Sequence, residues 1–178
     1  MTIPASDDVI EDVADALRVG RPVRAHGPYK VMLGDEGLTF SPSVIEDPVP
    51  TGAQLLELAG VRPAAEFQVY QVLWNGIMES LRPDETTDLR TIGVERFIIF
   101  RTDRSFRFEM DGRMQEWGAT AISGAVLKKL AGVNPNTYGV WLEVRGGDDR
   151  RIGDTEFVDL SERGVERFFT GIVQTTEG

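Results

Sequence analysis

The sequence predicts an α+β protein: two copies of one small unit, each a β-sheet crossed by one helix, behind a short acidic N-terminal segment. Three observations carry this prediction. The stretch Thr51-Gly-Ala-Gln-Leu-Leu-Glu-Leu-Ala-Gly-Val-Arg-Pro63 returns as Ser123-Gly-Ala-Val-Leu-Lys-Lys-Leu-Ala-Gly-Val-Asn-Pro135, with eight of thirteen positions identical. Asp88-Leu-Arg-Thr-Ile-Gly-Val-Glu-Arg-Phe97 returns as Asp159-Leu-Ser-Glu-Arg-Gly-Val-Glu-Arg-Phe168, with seven of ten identical; the offsets, 72 and 71 residues, differ by a single-residue gap. Around both repeats, apolar and polar residues alternate between glycine-rich turns, the pattern of half-buried strands. A repeat of this kind reduces the chain to one problem of about 75 residues, solved twice.

Residues 1–21 stand outside the repeat. Ser6 is placed to cap a short helix, with Asp7 and Asp8 in its first turn, where the helix dipole favours negative charge. Ile10, Val13 and Leu17 fall on one face, and Gly20 and Pro22 end it. So short a helix is marginal alone. Two readings stay open for it: a frayed acidic tail, or a helix that orders on a partner.

The first unit occupies residues 22–102. Tyr29 to Leu33 is its opening strand, Gly34 to Gly37 the turn, and Leu38 to Phe40 the start of a return strand. A proline-rich excursion from Ser41 to Pro50 leads to the helix. Thr51 and Gln54 form a capping box, and Gly60 stops the helix. Phe67 to Trp74 is a third strand, turned by Asn75-Gly76, and Val94 to Phe100 is the last. Only Arg101 to Arg104 separate the copies, so a semi-rigid tandem is expected.

The second unit occupies residues 103–170. Ser105 to Met110 alternates, with Phe106, Phe108 and Met110 on one face. Asp111-Gly112 suits a type I′ turn, which needs positive φ at both central residues. Arg113 to Trp117 is the return strand. Ser123 caps a helix with Leu127, Leu130 and Ala131 on its buried stripe, and Gly132 is its left-handed stop. Tyr138 to Val144 is a third strand, a short one follows around Arg151 and Ile152, and Phe157 to Leu160 is a connection. Val165 to Phe169 is the last strand, and residues 171–178 remain as a C-terminal tail. A hairpin, a crossing helix and further strands, with the first and last strands side by side at the centre, make the β-grasp arrangement.

Composition narrows the function classes. The formal charge of −10 repels phosphate backbones, so nucleic acid is not an expected partner. No apolar run approaches the length of a membrane span, and no secretory signal pattern opens the chain. The absence of cysteine removes disulfides, thiolate nucleophiles and thiolate metal sites. A bacterial or archaeal cytoplasm is the expected compartment. His26, the lone histidine, has no converging partners for a metal site or a nucleophile–base pair. The acidic pairs Asp84-Glu85 and Asp148-Asp149 lack a calcium-loop pattern. Gly146-Gly147 lacks the helix and the Lys-Ser/Thr of a phosphate loop. No catalytic set, metal or cofactor is therefore expected, and the protein is not read as an enzyme. Lys128 and Lys129 are read as an exposed helix face.

The strand order and the doubled helix signature Gly-Ala-x-Leu-x-x-Leu-Ala-Gly-Val-x-Pro, with the doubled Gly-Val-Glu-Arg-Phe strand, resemble the bacterial multi-ubiquitin family of tandem ubiquitin-like β-grasp proteins. The resemblance covers roughly residues 25–178. It implies a protein modifier whose partners are activating and conjugating enzymes, a metallopeptidase that removes it, and target proteins, some related systems serving antiphage defence. It implies that the C-terminal carboxylate is adenylated, passed to an enzyme thiol and transferred to a target nucleophile. On this sequence the conjugation site is Gly178, presented by the tail residues Gln174, Thr175, Thr176 and Glu177. Glycine suits acyl transfer because it has no Cβ to obstruct its carbonyl. With nothing after Gly178, no maturation cleavage is expected. The tail departs from ubiquitin in ending Glu177-Gly178 and in lacking arginine, which points to dedicated enzymes. The alternative is a non-covalent tandem adaptor that binds through its sheet faces.

Strand alternation puts Phe67, Val69 and Leu73, and Tyr138, Val140, Leu142 and Val144, toward the helices. Tyr70, Trp74 and Trp141 then point to the open sheet faces, where polar residues are usual. Large aromatics there are expected as a partner-binding patch; packing of the two copies on each other is the competing reading, with scattered exposure a third.

Overall fold

The structure, a computed structural model, describes residues 9–90 and 94–173. Domain 1 contains β1 (Glu11–Asp12), α1 (Val13–Arg18), β2 (Tyr29–Gly34), β3 (Phe40–Ile45), α2 (Gly52–Ala59), a 3-10 turn at Ala64–Glu66, β4 (Phe67–Val72), β5 (Met78–Leu81) and β6 (Arg96–Arg101). Domain 2 contains β7 (Phe106–Met110), β8 (Arg113–Trp117), β9 (Ala121–Ser123), α3 (Gly124–Ala131), β10 (Tyr138–Leu142), β11 (Arg150–Ile152), β12 (Phe157–Asp159) and β13 (Glu166–Ile172). The sheet orders β3-β2-β6-β4-β5 and β8-β7-β13-β10-β11 match strand for strand. In each, the first and last strands run parallel at the centre, β2 with β6 and β7 with β13. Both copies are β-grasp domains.

The repeated residues do the same physical work twice. Thr51 and Ser123 cap their helices through side-chain bonds to Gln54 N and Val126 N, and Thr51 completes the capping box with Gln54. Gly52 and Gly124 follow, each packed against a backbone carbonyl, of Arg82 and Gly153, where a Cβ would overlap it. That close approach lets the free N–H groups of the first helical turn donate to loop carbonyls: Gly52 to Glu85 and Ala53 to Pro83, Gly124 to Glu156 and Ala125 to Asp154. Helix N-termini carry such orphan donors by construction. Gly60 and Gly132 end the helices at positive φ. The repeated Phe97 and Phe168 are both core residues, as are Leu89 and Leu160.

Four sequence expectations are corrected. The leader from residue 9 onward is part of domain 1. β6 pairs only the C-terminal half of β2, Met32 to Gly34, and leaves the rest of that edge for β1, which pairs Glu11 with Tyr29 and Asp12 with Lys30. Val13 and Ala16, rather than Ile10 and Leu17, are buried; the latter two are 47% and 41% exposed. Asp12, not Ser6, caps α1; Ser6 to Asp8 lie outside the described residues. Second, β3 continues through Pro42, which an edge strand tolerates because one side of its backbone needs no partner. Third, Phe157–Asp159 is not a bare connection but pairs with β9. Fourth, residues 171 and 172, expected in the tail, belong to β13, because β10 extends far enough to pair with them, Gly139 with Gly171 and Tyr138 with Ile172.

Candidate functional site

The two domains meet through the face of domain 1 that faces away from α2. Tyr70, Val72, Met78, Ile98 and Phe100 of that face share one buried apolar cluster with Trp117, Ile122 and Leu127 of domain 2. Phe100 stands edge-on between Tyr70 and Trp117, at centroid distances of 5.0 and 4.8 Å, the geometry aromatic quadrupoles favour. Gly118 lies against the Phe100 ring with no room for a Cβ. Tyr70 donates to or accepts from Ser105 Oγ at 2.6 Å, and burial pushes its hydroxyl pKa up.

Polar groups close the seam. The edge strand β5 has N–H groups with no strand to receive them, and side chains of β8 take them instead. Met78 N donates to Gln115 Oε1 at 2.8 Å and Ser80 N to Glu116 Oε2 at 2.7 Å. Arg113 donates to the Asn75 carbonyl and Lys129 to that of Gly37. An uncovered edge invites foreign strands; here the second domain covers it. Lys128, read from sequence as exposed, is buried, and bonds Asp154 at 2.7 Å and the Pro135 carbonyl at 3.1 Å.

The partner-binding residues expected from sequence are therefore separated. Tyr70 is fully buried between the domains, so for this residue interdomain packing is the correct reading and surface recognition is not. Trp74 falls past the end of β4, in the turn before β5, and stands 80% exposed. Trp141 lies on the open face of domain 2. Its indole stacks on Phe169 at 5.8 Å and 10°, and Arg151 sits over its ring at 5.7 Å. Gly139 and Gly171 form the floor beneath the indole, where a Cβ at Gly139 would come to 2.9 Å from it. Cross-strand register adds Arg167, Glu109 and Met114 to the same face. Sequence reading missed Phe169 and the two glycines. The signal was present: glycines inside a strand pattern mark close approach, and Phe169 alternates with the core residue Phe168.

The C-terminal strand is the second element of interest. β13 pairs β7 only as far as Phe168, then continues along β10, and Val173 N bonds the Thr137 carbonyl at 2.8 Å. Gln174, Thr175, Thr176, Glu177 and Gly178 lie outside the described residues. Among the described residues no group of three or more His, Asp or Glu is placed to hold a metal ion, and no helix is long and apolar enough to cross a membrane.

The family model described as multiubiquitin matches residues 38–102 and 106–171, one match per β-grasp domain and well over half of the chain. The chain belongs to the multiubiquitin family. Each match starts inside the opening hairpin or at its first strand, so the structural unit of domain 1, which begins with the leader, is longer than its family segment. Comparison with curated proteins gives no match. In this multiubiquitin protein the corresponding sheet faces of the two domains have different fates: one is an internal interface, the other is open.

Proposed function

We propose that this multiubiquitin protein is a ubiquitin-like modifier, activated at Gly178 by a dedicated activating and conjugating enzyme pair and attached to target proteins in a bacterial cytoplasm. In this scheme the Gly178 carboxylate attacks the α-phosphorus of ATP, giving an acyl adenylate and pyrophosphate. An enzyme thiolate adds to the acyl carbonyl and expels AMP. A nucleophile on the target then displaces the thiolate. The chain supplies an unhindered acyl group; the enzymes supply the nucleophile and the charge stabilisation. A metallopeptidase is the proposed deconjugase, and defence against phage the proposed setting. Domain 1 acts as a fixed companion of domain 2 rather than as a second modifier.

The observation that supports this reading most is that both family segments fold as β-grasp domains and the second ends in β13, which runs past the end of β7 and along β10 to the rim of the sheet. The test is incubation with a candidate activating enzyme, ATP and magnesium. The intact chain forms an enzyme thioester, and deletion of Gly178 abolishes it while the circular dichroism spectrum is unchanged. A thioester that survives the deletion rejects the reading.

The Trp141–Phe169 platform favours a second reading, the non-covalent adaptor. There, Trp141→Ala weakens a captured complex by about tenfold or more, and loss of Gly178 is silent.

A further inference from the structure

We propose that Asp111 is a positioning residue that fixes where the C-terminal segment leaves domain 2; its consequence for activation rests on the modifier reading above. β7 ends at Met110, opposite Phe168. Past that point β13 loses its neighbour on this side, and its next N–H directed there, of Thr170, would face water. Asp111 replaces the missing strand. Its Oδ1 accepts from Thr170 N at 2.7 Å and its Oδ2 from Thr170 Oγ at 2.9 Å, while its own N–H donates to the Phe168 carbonyl at 3.0 Å. Three bonds from one turn residue thus hold the last strand at the place where strand pairing has become one-sided.

The arrangement is particular to domain 2. Asp111 occupies a left-handed position, φ 49°, before Gly112 at φ 78°, so the turn aims its carboxylate back over β13. In domain 1 the corresponding turn carboxylate, Asp35, bonds N–H groups of its own loop, Gly37 and Thr39, and leaves the last strand alone. There β6 runs on into the linker and the second domain holds it. In domain 2 Asp111 does this work. Strand ends paired on one side open easily, and an opened end would free Thr170 to Val173 and lengthen the segment in front of Gly178. A longer, looser segment presents its carboxylate at lower effective concentration and with more entropy to lose on binding.

The turn chemistry offers variants that separate the carboxylate from the backbone conformation. Asp111→Gly keeps the positive φ at no steric cost and removes the acceptors. Asp111→Asn keeps the positive φ and one acceptor oxygen. Amide hydrogen exchange on the full-length protein is the deciding measurement. Asp111→Gly is expected to speed exchange at Thr170 and Gly171 about tenfold, with no change at Phe108 or Val140, and Asp111→Asn to restore most of the protection. Unchanged exchange at Thr170 in Asp111→Gly overturns the proposal. The activation assay is the second arm. Asp111→Gly is expected to raise KM for the protein substrate severalfold with kcat unchanged, and Asp111→Asn to lie near wild type. Faster exchange with an unchanged KM overturns the claim that the clamp serves presentation. If the wild-type chain forms no thioester with any activating enzyme, the modifier reading fails, and the exchange result still decides the clamp.

Discussion

Glu11 shows how one side chain converts an acidic leader into structure. Its carboxylate is buried, yet it accepts from Arg21 at 2.6 and 3.1 Å and from Arg24 N at 2.9 Å. The Arg21 hydrogen bonds hold its pKa below the ordinary 4.5, against the opposing effect of burial. A carboxylate with a depressed folded pKa stabilises fully above its unfolded value and loses that contribution as pH falls through the folded one. Docking of residues 11–18 is therefore expected to weaken below about pH 4.5, seen as faster amide exchange in α1. Glu11→Ala is expected to cost about 1–3 kcal/mol at pH 7 in urea denaturation and to flatten that acid dependence. Gly118 is a second deciding residue. Gly118→Ala forces a methyl into the Phe100 ring, and about 1–3 kcal/mol of destabilisation is expected by the same measurement, with the Trp117 fluorescence shifted. The sequence announced Gly52 and Gly124 through the repeat, but Gly118 has no repeat partner and no turn signal. Only the ring of another domain explains it.

Among elements, β5 and β8 carry the junction. Neither forms a ladder with the other, and the seam depends on Gln115 and Glu116 satisfying outward N–H groups of β5. Replacing both with alanine leaves the buried Met78 N–H without its acceptor, a loss of about 1–3 kcal/mol for that group; the check is a lower Tm with selective loss of protection at Met78 and Ser80. Helices α2 and α3, their caps and their stops were legible from local sequence, since capping is local chemistry. Strand limits were not. β13 is longer than its alternation suggests because its length is set by β10 beside it, and β3 runs through Pro42 because an edge strand has a side that needs no partner. β1 was invisible in the sequence: two residues cannot show a period, and the vacancy they fill is created by β6 stopping short on β2.

At the scale of the whole molecule the apolar cluster crosses the domain boundary, so the tandem is expected to unfold in a single transition, with tryptophan fluorescence and far-ultraviolet circular dichroism coincident. Two separated transitions would contradict this. Trp117→Ala, which removes the centre of the seam, is expected to cost about 3–5 kcal/mol and to split the two probes. A protease site placed between Thr102 and Arg104 gives a sharper check: after cleavage the halves are expected to co-elute in gel filtration, and separation would show the seam too weak to hold domain 1. Of the two open sheet faces read from sequence, that of domain 1 is covered by domain 2, while that of domain 2 keeps Trp141 and Phe169 uncovered among the described residues. The sequence by itself determined the doubled unit, the central pairing of first and last strands, the caps of α2 and α3 and the family, because these rest on the repeat, on local propensities and on residue identity. Only the tertiary structure decided that Tyr70 is interior, that the leader from residue 9 belongs to domain 1 and that residues 171 and 172 belong to β13. Periodicity records that one face of an element avoids water; what covers that face, and where a neighbouring strand runs out, depend on surfaces far away in the chain.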